Sequence, residues 1–405
     1  MLTLGFPRQR VLVAAVALLA CVSTLSLWLR PMEGSSLHLS WHTGGPSAHE
    51  ENTIVDPEPN GILLVTAYFP FQSKNSSEDH DEWMRQFLTN IRADVYMFCP
   101  PDVVDRARGM RAELSITFNT RYKTARDIEP LAKMSVPRQT FFEELHDKDP
   151  ERELHNENLY AIWAAKPFFT AYAANATMSR YKYVFWMDMS TFRSQHAFRK
   201  WPSVNSVDMF WEAAAEQEST SPSDLVFIPV QWKPPMQMAS WKELDGPLDI
   251  DFSIGSMFGG TPKAVMWFNQ LYWTYWFYWL DLGYFVGKDQ SVWNSIMYLY
   301  SERFVTVWAN DPQTQPGKNS GQGPGECGGW WSYYVYWLAP FRERRETEAF
   351  FFNRAISEGT KSPLRCRRIR SLPLQSIFRR HLWTWMHPWW NPSRRTLKLI
   401  RPPGI

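Results

Sequence analysis

Cysteine is scarce in this chain, four in 405 residues, which excludes a small scaffold knit together by disulfides. Neither sign of charge is in excess. The 43 Lys and Arg stand against 41 Asp and Glu, a net +2, so bulk charge gives no argument for a nucleic-acid partner. There is no zinc-spaced Cys/His cluster, no Walker phosphate loop, no G-x-S-x-G elbow and no dinucleotide fingerprint. Nor is there an internal repeat. With 44% hydrophobic and 21% charged residues the composition is globular, and the length fits two or three domains, or one large α/β domain with extensions. What the chain has in abundance is aromatic: 22 Trp, 16 Tyr and 26 Phe. Such a supply needs large cores, flat apolar ligand surfaces or a membrane interface.

Long hydrophobic runs are nearly absent too, with one exception. Val11 to Leu29 holds nineteen residues without a charge, between Arg8 and Arg10 on one side and Arg30 on the other. The run is long enough to span a bilayer. A cleaved signal peptide and a lipoprotein signal ending at Cys21 are the competing readings. The length of the run and the lack of an A-x-A cleavage site favour an uncleaved signal anchor. The flanking charges then set residues 1–10 in the cytosol and the bulk of the chain in the lumen, a single-pass type II protein of the Golgi or another secretory-pathway membrane. There Cys99, Cys327 and Cys366 are free to oxidise, and three thiols allow at most one internal pair. The sequons at Asn75 and Asn175 fit that compartment.

Residues 30–60 are rich in Ser, Gly, His, Glu and Pro without periodicity, as a flexible stem would be. Gly61 to Phe69 then reads as a buried parallel strand, Glu82 to Ile91 as a helix and Ala93 to Cys99 as a second strand, the opening of an α/β sheet. Tyr160 to Met178 predicts a helix that Pro167 kinks or splits. Further strands are expected at Tyr181 to Met187, Leu225 to Val230 and Phe252 to Gly260, the last glycine-marked for close approach of a backbone or a ligand. Thr261-Pro262 opens a helix to Asp281 whose aromatic run is too interrupted by polar residues to be a second span. A short helix follows around Asp289 to Tyr300. Beyond Pro340, 15 Lys and Arg face 4 Asp and Glu, so a basic, aromatic extension at 341–405 carries +11 and the preceding residues −9.

Ligands of open α/β sheets sit outside the carboxyl ends of the strands, so the polar residues there are the first candidates. Asp188 follows its strand directly: it either holds a hard divalent cation that bridges a diphosphate, or it caps the next turn. The literal D-x-D at Asp249 and Asp251 precedes a strand, and reads as a solvated strand start before it reads as a metal site. Asp289 opens a helix, where it caps the first turn or faces the reaction centre as a base. The glycine-rich 317–329 segment reads as a lid or surface loop. His381 and His387 lack ligand spacing and read as packed or surface histidines.

Five separated segments together resemble the HtrL/YibB-type glycosyltransferase family. In order they are ILLVTAYFP at 62–70, WAAKPF at 163–168, YVFWMDMSTFR at 183–193, GSMFGG at 255–260 and GKDQ at 287–290. The resemblance implies a GT-A-like nucleotide-diphospho-sugar transferase over roughly 61–340, an α/β domain with a mixed, mainly parallel sheet flanked by helices. It implies that Asp188 binds the nucleotide and its divalent cation, Mn²⁺ or Mg²⁺, with Lys166 and Arg193 beside the donor diphosphate. The glycine strand Gly255 to Gly260, with Gly259 and Gly260, would line the acceptor side, and Asp289, as the catalytic residue, would lie with Gln290 beneath the sugar. Here the motif reads Asp188-Met189-Ser190, and a hydroxyl is a poorer ligand than the second carboxylate of a full D-x-D.

The expected function is transfer of a sugar from a nucleotide-sugar donor to a glycan or glycoprotein acceptor in the secretory pathway. The rival classes are a non-catalytic carbohydrate-binding or membrane-associated lumenal protein, which would bind no nucleotide, and a glycoside hydrolase, which needs two carboxylates roughly 5–9.5 Å apart.

Overall fold

A computed structural model describes residues 61–405 apart from 72–74, 133, 135–137, 178–179, 194–195, 219, 312, 314–332, 358–369 and 383–396. The expected cytosolic tail, anchor (11–29) and stem (30–60) lie outside these residues, as do Cys327, Cys366, His387 and the glycine-rich 317–329 segment.

The chain folds as α/β, with one mixed eight-stranded sheet flanked by helices. The strands are β1 (Ile62–Ala67), β2 (Asp94–Phe98), β3 (Ile116–Asn119), β4 (Tyr183–Met187), β5 (Val226–Phe227), β6 (Met257–Gly260), β7 (Phe304–Val307) and β8 (Ser371–Pro373), in the order β3-β2-β1-β4-β6-β5-β7-β8. β1 pairs in parallel with β2 and β4, and β2 with β3. β6 runs antiparallel to both β4 and β5, β7 is parallel to β5, and β8 is antiparallel to β7. Seen from β1, the chain first builds outward through β2 and β3 and later returns to the other side with β4. That reversal opens a crevice at the carboxyl ends of β1 and β4.

The helices that cover the sheet are α1 (Ser77–Asn90), α2 (Pro101–Arg111), α3 (Arg138–Asp147), α4 (Glu157–Ala176), α5 (Val204–Glu218), α6 (Pro262–Asp281), α7 (Asp289–Leu299), α8 (Tyr333–Leu338), α9 (Phe341–Ser357) and α10 (Leu374–Leu382). Strand side chains alternate between the two faces. Leu63, Val65, Val184, Trp186 and Phe258 share a core with α4, α6, α7 and α10. Ile62, Leu64, Phe185, Met187 and Met257 share another with α1, α2, α5 and α8. Because both faces are covered, the central strands read as nearly continuous apolar runs.

α4 is one helix of 20 residues with Pro167 inside it, neither split nor shortened there. Its N-terminus is capped by Asn156, whose Oδ1 accepts from the amides of Asn158 and Leu159. The aromatic helix α6 is core: Trp273, Trp276 and Trp279 are buried, and the indoles of the last two donate to the carbonyls of Val286 (3.1 Å) and Glu243 (2.8 Å). Among the described residues no helix is long and apolar enough to cross a membrane.

The basic segment beyond 340 is woven into the same body. It supplies β8 to the sheet and α10 to the core, where Leu374, Ile377, Phe378 and Leu382 are buried. Arg370, just before β8, donates to the buried Asp311 at 2.8 Å, and the Ile400 amide donates to the Thr274 hydroxyl at 3.0 Å. His381 packs edge-on against Trp308. Cys99 is a buried free thiol, and burial pushes its pKa up to about 12, which keeps it protonated and unreactive.

Candidate functional site

Three strands and helices deliver charged groups to one cavity. β4 ends at Met187, and the chain turns at Asp188, whose amide donates to the Ser256 carbonyl and whose own carbonyl accepts from Thr191. This fixes the carboxylate at the carboxyl end of β4, beside the start of β6. The middle of α4 carries Lys166, and α7 begins at Asp289, whose Oδ1 accepts from the amide of Gln290 at 2.8 Å. Lys288 is the N-cap and provides no side-chain cap, so Asp289, at the first helical position, does not cap the turn; only one of its oxygens is used for the adjacent amide. The other meets the Lys166 ammonium at 2.9 Å.

Lys166 is the centre of the arrangement. Its Nζ lies 3.2 Å from Asp188 Oδ1, 3.4 Å from Asp188 Oδ2, 2.9 Å from Asp289 Oδ2 and 2.9 Å from the Gly255 carbonyl. The three N–H donors of an ammonium are thus absorbed by two carboxylates and one peptide oxygen. The indole of Trp293 lies under the same ammonium, 5.8 Å from ring centroid to Nζ. Lys166 and Asp289 are each only 3% exposed, whereas the Asp188 side chain keeps 29% of its surface. Asp188 Oδ1 also accepts from the Trp186 indole at 2.7 Å, so the strand fixes the carboxylate it presents.

Two carboxylates and one ammonium leave a net negative charge in a largely dry place. Burial pushes the Asp289 carboxyl above the usual carboxylate range; Lys166 pulls it back, Asp188 pushes it further up, and the net shift is upward. For Lys166, burial works against the charged form, but Asp188 and Asp289 together outweigh it and the ammonium is held charged.

The cavity around this trio has a volume of about 250 Å³, and Trp163, Gln231, Ile254, Gly255, Ser256 and Gln290 complete its lining. Gln290 is anchored by its own amide, which donates to the Ser253 carbonyl at 2.5 Å. The N-terminus of α7 is clamped from outside by Lys288, which donates to Glu151 at 2.6 Å and pairs with Asp249 at 3.3 Å. Asp249 also accepts from Ser291 at 3.1 Å. The D-x-D acid thus serves as an ion-pair anchor for the helix that bears Asp289.

No family model matches the chain, and no curated protein does.

Of the residues singled out from sequence, Lys166, Asp188, Asp289 and Gln290 come together in the cavity. Three others that the resemblance implicated, Arg193, Gly259 and Gly260, stand elsewhere. Arg193 is exposed, its Nε donating to the Ser190 carbonyl and its guanidinium lying 4.7 Å from the centroid of the Trp83 ring. Gly259 and Gly260 are inside the sheet. A Cβ on Gly259 would collide with the Phe185 ring and the Val184 carbonyl of β4, and one on Gly260 would reach 2.7 Å from the Leu225 carbonyl. The close approach that these glycines permit is that of neighbouring strands. The glycine that borders the cavity is Gly255, where a Cβ would sit 3.1 Å from Gln290 Cγ.

Sequence reading missed Trp163, Gln231 and Ile254 as lining residues, whereas Gly255 and Ser256 belong to the strand expected on the acceptor side. The signal for Trp163 was present, since it stands three residues before Lys166 and so on the same helix face. Gln231 gave none, because only the sheet order, with β6 between β5 and β4, brings the end of the β5 segment to this cavity.

Among the described residues no group of three or more His, Cys, Asp or Glu side chains is placed to hold a metal. Asp188 nevertheless fits a hard cation that takes most of its ligands from a bound diphosphate and water, as Mg²⁺ commonly does. Among the described residues its Oδ2 is hydrogen-bonded by the ammonium alone, at 3.4 Å, and the side chain is partly open.

Proposed function

We propose that this protein is a glycosyltransferase of GT-A-like fold, similar to the HtrL/YibB-type family, that moves a sugar from a nucleotide-sugar donor to a glycan or glycoprotein acceptor. The observation that carries the reading is the convergence of Lys166, Asp188, Gly255 and Asp289 on one cavity at the carboxyl end of β4, beside the start of β6. Four of the five segments that carry the family resemblance, the ones at 163–168, 183–193, 255–260 and 287–290, contribute to that lining. The mixed, mainly parallel sheet supports the same fold reading.

Under this reading Asp188 holds the donor diphosphate through a divalent cation, Mn²⁺ or Mg²⁺, which when bound offsets the charge left on the departing nucleotide. Lys166 keeps Asp188 and Asp289 at a fixed separation and orientation in the unliganded protein, so that little reorganisation is left for the reaction itself. Asp289, with one oxygen tied to the backbone and the other on Lys166, is oriented to hold the acceptor hydroxyl and take its proton. Its raised pKa improves its match to that task. Arg193, on the loop beyond β4, and Trp83, in α1, offer a charge and a ring to the nucleotide end of the donor. The expected setting is a Golgi or other secretory-pathway membrane, reached through the N-terminal anchor.

The pair Asp188 and Asp289, one part-exposed and one buried with a raised pKa, also suits a glycoside hydrolase. The two readings separate on the donor. Incubation with UDP-, GDP- and CMP-sugars is expected to release nucleoside diphosphate or monophosphate from one of them, and Asp289→Asn to slow that release by about 10²–10⁴-fold. A base must be deprotonated, so the wild-type rate should rise with pH through the raised pKa of Asp289, and the rising limb should vanish in the variant. Hydrolysis of an aryl glycoside without any nucleotide would favour the hydrolase.

A further inference from the structure

We propose that Trp163 is the stacking platform of the Lys166–Asp188–Asp289 cavity, and that this cavity takes one neutral pyranose ring in preference to a sugar acid. That the ring is the one being transferred rests on the glycosyltransferase reading; the ring site itself does not. Trp163 and Lys166 stand one turn apart on α4, so one helix face delivers both the indole and the ammonium to the cavity wall. Trp163 is partly exposed. By contrast Trp186, which donates to Asp188, and Trp293, which lies under Lys166, are at most 1% exposed and form no part of the lining.

The ring is braced by its neighbours. His155 meets it edge-on, with centroids 4.9 Å apart and planes at 86°, and Tyr160 packs against it at 6.2 Å. Both neighbours are tied to one carboxylate. Asp149, 4% exposed, accepts from the Tyr160 hydroxyl at 2.7 Å and from the Glu151 amide at 2.8 Å, and lies 2.8 Å from His155 Nδ1. A ring held in this way loses little freedom when a ligand settles on it. Its N–H is also spared for that ligand: the indoles of Trp241 and Trp308 donate to protein carbonyls, whereas that of Trp163 has no acceptor among the described residues.

The rest of the lining decides which ligand suits the ring. Gln231 and Gln290 bring neutral amides to the wall, which match hydroxyls that both donate and accept. An indole with such groups around it complements a pyranose, whose C–H face stacks on the ring. A carboxylate on the sugar would meet Asp188 and Asp289 instead. Among the described lining residues the one cation is Lys166, and its three donors are already taken. A diphosphate escapes this repulsion only in company with its cation. At about 250 Å³ the cavity lies below the roughly 300–1,000 Å³ of sites for drug-sized ligands, which limits it to one ring.

The test is saturation-transfer NMR on the full-length protein with methyl glycosides of neutral hexoses and of hexuronic acids. At least one neutral glycoside is expected to bind the wild type through the C–H protons of one ring face, and its uronide to bind about tenfold more weakly. Trp163→Leu, which keeps an apolar side chain without the ring, should weaken binding about tenfold, and Trp163→Phe should retain most of it. The comparison of neutral and acidic glycosides needs no variant, so the proposal stays exposed even if Trp163→Leu does not fold. A wild type that binds no neutral glycoside, one that binds the uronide as tightly, or a folded Trp163→Leu protein that binds like wild type overturns the proposal. Thermal-shift titration of the wild type with UDP, GDP and CMP in Mn²⁺ tests the transferase reading separately. Glycoside binding that depends on Trp163 in a protein that binds no nucleotide upholds the ring site and counts against that reading; nucleotide binding without glycoside binding does the reverse.

Discussion

Replacing Lys166 by Met should cost about 3–5 kcal/mol of folding stability, measured by urea unfolding, because it strands the Asp289 carboxylate without its counter-charge. Asp289 is 3% exposed, its Oδ2 has no hydrogen bond from another group among the described residues, and the Asp188 carboxylate binds the same ammonium. Without Lys166 the buried carboxyl loses what pulls its pKa down and keeps both burial and Asp188 pushing it up. It will therefore take up a proton, and the variant should be most deficient at pH values where the wild-type group is ionised, recovering as pH falls. The double variant Lys166→Met, Asp289→Asn removes both buried charges and should regain most of the lost stability, since a missing pair is far cheaper than a broken one. It should regain none of the chemistry. A single Lys166→Met variant as stable as wild type at neutral pH would show that the trio is not the charge-coupled unit described.

An effect of the same size is expected far from the site, at Arg111→Met. Arg111 ends α2 and is fully buried. Its Nη1 donates to the carbonyls of Leu88 (2.9 Å) and Ile91, its Nη2 to those of Ala93 (2.5 Å) and Ser115 (3.0 Å), and its Nε to Ser115 again (3.1 Å). One guanidinium thereby satisfies the loose carbonyls at the end of α1, the start of β2 and the approach to β3. Burial lowers its pKa to about 10, which still leaves it charged at neutral pH. Methionine fills much of the volume but leaves the buried carbonyls of Leu88, Ile91 and Ala93 without this donor, so a loss of about 3–5 kcal/mol is expected in the same unfolding assay. Arg111→Lys should recover only part of it, because an ammonium has three donors and no planar fork. A loss under about 1 kcal/mol for Met would mean that water reaches those carbonyls.

The contrast between these two residues shows what could be read from sequence. Lys166 and Asp188 lie in segments whose elements were legible: an apolar strand ending in an acid, and a long alanine- and aromatic-rich helix. The sheet's central strands were visible because burial on both faces makes their sequences continuously apolar. β3 and β8 were not, since an edge strand of four residues and one of three, ending in proline, carry too little pattern. β8 was hidden further by its basic surroundings, which read as an extension outside the domain. Arg111 gave no sign at all. In DRARGMRAEL it is one of several charges on a polar helix, and its burial depends on where α1 ends, a tertiary fact. The glycines of β6 were recognised as marking close approach, but whether a strand or a ligand approaches is decided by sheet order. Gly259 and Gly260 face strands, while Gly255, four residues earlier, faces the cavity.

The central claim is that the cavity built by Lys166, Asp188 and Asp289 receives a nucleotide-sugar donor. Thermal-shift titration of the purified protein with UDP, GDP and CMP, each with and without Mn²⁺, tests it most directly. One nucleotide should raise the unfolding temperature in a concentration-dependent way, more strongly with Mn²⁺, and a nucleotide present at about 100 times its Kd should add about 2.7 kcal/mol. The Asp188→Asn protein should lose the contribution of the metal. Absence of any shift with every nucleotide, with or without the cation, would contradict the account.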